Sequence, residues 1–252
     1  MKPRLIILTS NLPYYNAAFI DKVASKPEIK NLYEIEIWLN PKKNGIYKKI
    51  NLLIKQISRS GLRYVIGKLF YFYRYQSERS SPDEHKKLVD VLLKYNIPIK
   101  HYKQFSDIDT NSSEDILLSL YFDSLIPSDL LKKFEQRAIN LHPSLIPDYK
   151  GSSPVFWVLA NNEKITGYTF HILSERIDSG QVLFQSKEDI APTDTFHSLY
   201  LRLSSKAGEC FANFLLTHNF PHFKENFSKG SYHSTPTSKA YKMFKENGRK
   251  FI

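Results

Sequence analysis

The chain has 252 residues, 42% of them apolar, which is enough for one large domain or one domain with a small appendage. Its formal net charge is +11, no apolar run approaches the roughly 20 residues that cross a bilayer, and the N-terminal apolar stretch is too short for a signal peptide. The single cysteine, Cys210, excludes an internal disulfide and a cysteine-based metal cluster, and it favours a location in the reducing cytoplasm.

Most of the net positive charge lies in one stretch. Residues 37–77 contain no Asp or Glu and carry the bases Lys42, Lys43, Lys48, Lys49, Lys55, Arg59, Arg63, Lys68 and Arg74. Because a concentrated positive field attracts anions, the candidate partners are a nucleotide diphosphate, a polyglutamate, RNA and an acidic membrane surface. A basic helix that only faces solvent explains the same charge without a ligand.

The N-terminal half alternates between strand and helix patterns. A continuous apolar run at residues 5–8 is typical of a strand buried on both faces, and a turn and a helix to residue 23 follow it. Further strands are predicted at 33–39, 97–99, 116–121 and 138–141, and further helices at 50–75 (with a break near Gly61), 82–95 and from Pro127. This alternation predicts an α/β fold with a mostly parallel sheet and helices on both faces.

The C-terminal half reads differently. Residues 165–172 and 181–190 form two extended runs with a turn at 178–180 between them, and residues 196–216 form a helix. The aromatic and lysine-rich tail is too short for an independent domain, so we expect a short C-terminal arm or hairpin. The predicted organisation is a catalytic domain over residues 1–216, with a basic helical insertion at 41–80, and an arm over 217–252.

Three side chains suggest acyl-transfer chemistry. Asn140 and His142 are two residues apart on a predicted strand, so they point to the same side. They lie at the strand end where open α/β sheets bind ligands. Asn140 offers an N–H donor to a carbonyl oxygen, His142 can take a proton from an amine, and Asp178 can hold the imidazole in place. Each element alone is common in ordinary turns, but the three together favour attack by an amine on a carbonyl group.

The motifs around these residues resemble a known family. The segments Asn140-x-His142-Pro143-x-Leu145-x-Pro147, with Lys150-Gly151, and Thr166-Gly167-x-Thr169-x-His171, with Ile177-Asp178-x-Gly180-Gln181, are similar to the signatures of the 10-formyltetrahydrofolate-dependent formyltransferases. The resemblance covers residues 115 to 205 clearly and the N-terminal strand more weakly. It implies a Rossmann-like formyltransferase fold and a catalytic triad of Asn140, His142 and Asp178.

The resemblance also implies which residues bind the two substrates. The donor, 10-formyltetrahydrofolate, would contact Ser119, Phe122, Ser124, Leu125, Ile126, Arg176 and Ile177. The acceptor would contact Ser10, Asn11, Lys150 and, in the tail, Tyr232. No metal is expected, because the sequence holds no Cys/His cluster with the spacing of metal ligands.

The family has several branches, and the sequence favours the sugar N-formyltransferases. Only about forty residues follow the last predicted helix, whereas methionyl-tRNA formyltransferase resembles this core with a much larger C-terminal domain. The expected acceptor is dTDP-4-amino-4,6-dideoxyglucose for O-antigen and lipopolysaccharide synthesis. A GDP-linked or 3-amino sugar, a methionyl-tRNA type enzyme, and a nucleic-acid-binding or membrane-peripheral basic protein are the alternatives. A homodimer is compatible with the aromatic tail.

Overall fold

The computed structural model describes residues 2–10, 15–39, 46–77, 87–218 and 230–252. The predicted contact residue Asn11, the predicted loop at 41–45 and the predicted helix start at Pro82 lie outside these ranges. Among the described residues, no helix combines the length and the apolar character needed to cross a membrane.

The strands alternate with helices along the chain. The strands are β1 (Arg4–Thr9), β2 (Glu34–Leu39), β3 (Ile99–His101), β4 (Ile116–Leu120), β5 (Ala138–His142), β6 (Lys150–Gly151), β7 (Ile165–Ile172), β8 (Val182–Asp189) and β9 (Tyr232–His233). The helices are α1 (Tyr15–Ala24), α2 (Pro27–Leu32), α3 (Ile46–Ser60), α4 (Leu62–Ser77), α5 (Leu88–Tyr95), α6 (Ser128–Phe134), α7 (Pro154–Ala160), α8 (Phe196–Thr217) and α9 (Ser238–Glu246).

Within the described residues, seven strands form one sheet in the order β3-β2-β1-β4-β5-β7-β8, and β6 pairs with β9 in a separate ladder. The pairings from β3 to β5 are parallel, and those of β7 with β5 and with β8 are antiparallel. All six side chains of β1 are buried, as expected for a central strand covered by helices on both faces. The mostly parallel α/β sheet predicted from the sequence is therefore confirmed.

The basic insertion forms the two helices α3 and α4, which break at Gly61 as predicted. Gly61 has a φ of +82°, a left-handed conformation that favours glycine and ends a helix. The insertion packs against the tail, because Ser60 donates a hydrogen bond to the carbonyl oxygen of Pro236 at 2.5 Å and Arg59 donates one to Ser234 Oγ at 2.8 Å.

One predicted strand boundary needs correction, and three helices, α2, α7 and α9, were not predicted. The strand predicted at 97–99 is observed as β3 at Ile99–His101, because Pro98 has no N–H to donate and only its carbonyl oxygen pairs with Ile37. The short helix α7 was not predicted. Neither was α9, although Thr237 accepts a hydrogen bond from the N–H of Ala240 in an ordinary N-terminal cap.

The tail completes the hydrophobic core. Phe244 on α9 is fully buried, stacks on Phe156 of α7 with ring centroids 4.9 Å apart, and contacts Phe251 at 5.3 Å. We expect Phe244→Ala to lower the free energy of unfolding by about 3–5 kcal/mol, the usual cost of removing a buried phenylalanine ring. Urea unfolding followed by circular dichroism measures the loss. The control Lys245→Ala, at an exposed position of the same helix, should change stability by less than about 0.5 kcal/mol; equal losses in both variants would contradict this packing.

Candidate active site

The predicted site residues meet at the carboxyl end of β5. In the sheet register Asn140 lies beside Ser119 of β4 on one side and His171 of β7 on the other, and His142 lies beside Thr169. A cavity of about 590 Å³ opens at this edge, and Asn140, His142, His171 and Asp178 all line it. The strand order thus brings together side chains that are up to 59 residues apart in the chain.

His142 is 4% exposed and has a hydrogen-bond acceptor at each ring nitrogen. Its Nε2 lies 2.8 Å from the carbonyl oxygen of Tyr149, and its Nδ1 lies 3.4 Å from Asp178 Oδ2. In the neutral ring the proton belongs on Nε2, where the shorter contact accepts it, so Nδ1 is the free base and faces the carboxylate.

Asp178 lies in the turn after β7, next to one backbone donor and two histidines. Its Oδ2 accepts a hydrogen bond from the backbone N–H of Gly151 at 2.7 Å, and its Oδ1 lies 3.5 Å from His171 Nε2. Its φ is +47°, and the turn presses so close to β7 that a Cβ on Gly180 would lie 1.7 Å from the carbonyl oxygen of Ile172. Glycine at 180 is therefore what allows the turn to present Asp178 to the histidines.

His171 orients the amide of Asn140. Its Nδ1 lies 2.9 Å from the carbonyl oxygen of Ile172, which places the proton on Nδ1 and leaves Nε2 as an acceptor. Asn140 Nδ2 donates to this Nε2 at 3.0 Å. One amide N–H of Asn140 is thus used by His171, and the second remains to donate to a ligand in the cavity.

Burial and charge set the protonation states of the pair. Burial lowers the pKa of His142, and the nearby Asp178 carboxylate offsets only part of that effect. Burial also acts to raise the pKa of Asp178, but the positive charge of protonated His142, the adjacent His171 and the hydrogen bond from the Gly151 N–H outweigh it and lower the pKa to about 2. Near neutral pH the site therefore combines a charged carboxylate with a neutral imidazole.

The segment after β5 is held from both sides. Thr169 Oγ1 donates to the carbonyl oxygen of Ser144 at 2.6 Å and accepts from the N–H of Ile146 and from Gln185 Nε2. On the other side β9 pairs with β6, where the N–H of Lys150 donates to the carbonyl oxygen of Ser231 at 3.0 Å.

Aromatic rings pack around the same junction between β6 and β9. Tyr149 stacks on His233 with centroids 4.9 Å apart, and Trp157 lies 4.8 Å from that imidazole. Trp157 also donates through Nε1 to the carbonyl oxygen of Ser234 at 2.9 Å. The backbone of residues 143–151, which supplies partners to His142 and Asp178, is thus fixed by the tail as well as by the sheet.

The structure brings every predicted donor-contact residue to the cavity. The lining includes Ser119, Phe122, Ser124, Leu125, Ile126, Arg176 and Ile177. Leu125 and Ile177 are 67% and 47% exposed, so two apolar side chains have free surface at one cavity.

The predicted acceptor residues are only partly assembled. Tyr232 lines the cavity, and its ring lies so close to Gly151 that a Cβ there would be 2.8 Å from Tyr232 Cε2. Ser10 and Lys150 are not among the lining residues in the part of the chain that the structure describes. Ser10 Oγ instead accepts a hydrogen bond from the N–H of Asp123 at 3.1 Å.

Sequence reasoning did not assign one whole wall of the cavity. This wall consists of Tyr15, Tyr64, Lys68, Tyr71, Tyr121, Phe196, Tyr200 and Phe251. The spacing of Tyr64, Lys68 and Tyr71 places all three on one face of a helix, and that was the available signal. His171 belongs to the motif Thr166-Gly167-x-Thr169-x-His171, but the sequence predicts no separate role for it.

Part of the chain is similar to known formyltransferases. Residues 101–215 match the family model described as Formyl transferase. GDP-perosamine N-formyltransferase of Brucella melitensis is 34% identical over 115 residues, which cover 46% of this chain and 44% of that protein. The bifunctional polymyxin resistance protein ArnA of Wigglesworthia glossinidia brevipalpis is 35% identical over 140 residues, 53% of this chain and 20% of that protein. The chain thus spans less than half the length of these curated relatives.

Solved structures share the fold. The match to WlaRD, described as a sugar 3N-formyl transferase in the presence of dTDP and 5-N-formyl-THF, has a TM-score of 0.59 at 20% identity and covers 93% of this chain and 70% of that one. The phosphoribosylglycinamide formyltransferase of Anaplasma phagocytophilum matches with a TM-score of 0.56 at 14% identity, covering 93% and 100%. At such identities the likeness concerns the fold.

Proposed function

We propose that this chain transfers a formyl group from 10-formyltetrahydrofolate to the primary amine of a nucleotide-linked amino sugar, and the match of residues 101–215 to the Formyl transferase family model supports this. The observation that carries the proposal is that Asn140, His142 and Asp178 line one cavity. The neutral imidazole of His142 contacts the charged carboxylate of Asp178, and both that carboxylate and the amide of Asn140 contact His171. These groups suit acyl transfer to an amine without a protein nucleophile.

The donor fits the apolar part of the cavity. Leu125 and Ile177 offer exposed apolar surface to a flat ring system, and Arg176 and Ser124 add polar groups at the same wall. When bound, the donor supplies the formyl carbon that the amine attacks. The free N–H of Asn140 is positioned to donate to the formyl oxygen, on which negative charge grows in the transition state.

His142 manages the proton of the reaction. As the amine nitrogen bonds to the formyl carbon, Nδ1 of His142 accepts an amine proton, and Asp178 stabilises the resulting imidazolium. As the bond between the formyl carbon and the donor nitrogen breaks, the imidazolium returns that proton to the leaving nitrogen. Proton count and charge therefore balance over one turnover, and no metal is needed.

The preferred acceptor is dTDP-4-amino-4,6-dideoxyglucose. A GDP-linked amino sugar is the second candidate, and the sequence likeness to a GDP-perosamine N-formyltransferase favours it. The test is incubation of the purified chain with 10-formyltetrahydrofolate and a panel of dTDP- and GDP-linked 3- and 4-amino sugars, read by a mass gain of one formyl group. Product without folate, loss of activity with a chelator, or efficient formylation of methionyl-tRNA instead of any sugar would contradict the proposal.

Tyr232 is the tail residue expected to contact the acceptor. It is exposed, lines the cavity, and packs beside Gly151, whose N–H binds Asp178. If its ring stacks on the nucleotide base, Tyr232→Ala should raise the KM for the nucleotide sugar roughly 10-fold, since stacking on a base contributes about 1–3 kcal/mol. Steady-state kinetics with each substrate varied in turn measures the effect.

The matched control is Tyr232→Phe, which keeps the ring and should keep the KM. The KM for the donor should be the same in all three proteins. Unchanged nucleotide-sugar KM in Tyr232→Ala would remove this residue from the acceptor site.

A further inference from the structure

Helix α4 presents one polar face to the cavity. Tyr64, Lys68 and Tyr71 are spaced by four and three residues, which places them on the same side of a helix, and all three line the cavity. Tyr64 and Tyr71 are buried, and Phe251 packs against both rings at 5.9 and 6.2 Å. The basic insertion is therefore a wall of the site as well as a charged surface.

Lys68 is the basic side chain on this wall. Within the described part of the chain it forms no hydrogen bond or ion pair, and its ammonium group lies 6.0 Å from the centre of the Tyr64 ring. Burial lowers the pKa of Lys68, and no carboxylate opposes that effect. Keeping a half-buried ammonium group charged without a counter-ion costs free energy, and an anion bound in the cavity would supply the missing counter-ion.

The neighbouring side chains suit the phosphate end of a nucleotide better than the donor. Tyr15, the first residue of α1, follows the carboxyl end of β1, and its hydroxyl bonds to that of Tyr71 one turn from Lys68. The residues predicted to hold the donor follow β4 and β7 instead. In addition, Lys68 brings a positive charge to the wall that carries these tyrosines, and a diphosphate requires positive charge and donors.

We propose that Lys68 binds the diphosphate of the acceptor, so that the inserted helix α4 forms the nucleotide subsite of the cavity. The proposal rests on the proposed function, and it names the part of the molecule that recognises the acceptor. It also gives helix α4 a specific role: the anion is recognised at one partly buried lysine, and the exposed Lys55 and Arg59 of α3 add only a general attraction.

The test is isothermal titration calorimetry, which measures the affinity of the whole chain for dTDP, GDP, the corresponding nucleosides and 5-formyltetrahydrofolate. Lys68→Met should weaken binding of the preferred nucleoside diphosphate by roughly 10- to 100-fold, the scale of a lost hydrogen bond to a charged group. Binding of the nucleoside and of the folate should stay unchanged. Lys68→Arg, which keeps the charge, should retain most of the affinity, and Lys55→Met, at an exposed position of α3, should behave as wild type.

Each outcome decides the proposal. Unchanged diphosphate affinity in a folded Lys68→Met protein overturns it, and so does the absence of dTDP and GDP binding by the wild type. An equal loss of folate affinity would assign Lys68 to the carboxylates of the donor instead. If Lys68→Met fails to fold, Lys68→Gln provides the same comparison. A wild-type chain that binds a nucleoside diphosphate through Lys68 but formylates no sugar would refute the proposed function and leave this subsite standing.

Discussion

Asn140→Ala should lower kcat by about 10²–10³, the usual effect of removing one donor to a developing oxyanion. In the wild type, one N–H of the amide is committed to His171 and the other is left for the formyl oxygen. The substitution removes the second interaction, which strengthens only in the transition state, so KM for either substrate should change little. Initial rates at saturating substrates, with product measured by mass, provide the test.

The fold should survive this change because Asn140 faces the cavity. Asn213→Ala, at an exposed position of α8, is the matched control and should keep full activity. An Asn140→Ala protein with normal thermal stability and near-normal kcat would show that the oxyanion donor lies elsewhere. A large rise in the donor KM at constant kcat would instead make Asn140 a ground-state binding residue.

His142→Ala should lower kcat by about 10²–10⁴, the range for loss of a general acid–base group. The residue is buried, and both of its ring nitrogens face acceptors, so no neighbouring side chain can take over its role without movement. His101→Ala, at an exposed position of β3, is the control. Activity within a few-fold of wild type in a folded His142→Ala protein would exclude His142 as the base.

The pH profile tests the same assignment through its sign. The base must be neutral to accept a proton, so kcat should rise with pH through the pKa of His142 and then level off. Because burial lowers that pKa, the inflection in kcat should lie below the ordinary histidine value of about 6.5. The acceptor amine must also be neutral, and its own titration should appear in kcat/KM for the free sugar.

Asp178→Asn should move the inflection in a defined direction. The carboxylate raises the pKa of His142, so its removal should lower that pKa further and shift the acid limb of kcat to lower pH. Turnover at the plateau should fall as well, because the imidazolium loses its counter-charge. A shift of the limb to higher pH would mean that the titrating group is another residue.

The sequence predicts that Asn140 and His142 lie together because the two residues are close to each other in the chain. Asn140 and His142 share a face through the two-residue period of a strand, and the parallel sheet requires that strand to end at the ligand-binding edge. The break at Gly61 was equally readable, since a left-handed residue ends a helix wherever the rest of the chain goes. These features depend on periodicity and on backbone sterics, which a single sequence contains.

The remaining wall depends on contacts between distant segments. The pairing of Lys150 with Tyr232 joins strands of two residues each, which are too short to show any alternation. Similarly, the closeness of α4 to Phe251 follows from a core that closes across the insertion and the tail. The helical face of Tyr64, Lys68 and Tyr71 was visible as a pattern, but only the packing shows that it faces the cavity.

The ladder between β6 and β9 has a consequence for how the chain folds during synthesis. Ribosomes deliver residues 138–178, which include Asn140, His142 and Asp178, well before residues 230–252, and domains begin to fold during synthesis. A nascent chain that ends before β9 lacks the partner strand for Lys150 and Gly151, and with it the support for the N–H that binds Asp178. Such a chain also lacks Phe244, so its aromatic core is open. We therefore expect the edge of the cavity around Asp178 to be completed late, after residues 230–252 have left the ribosome.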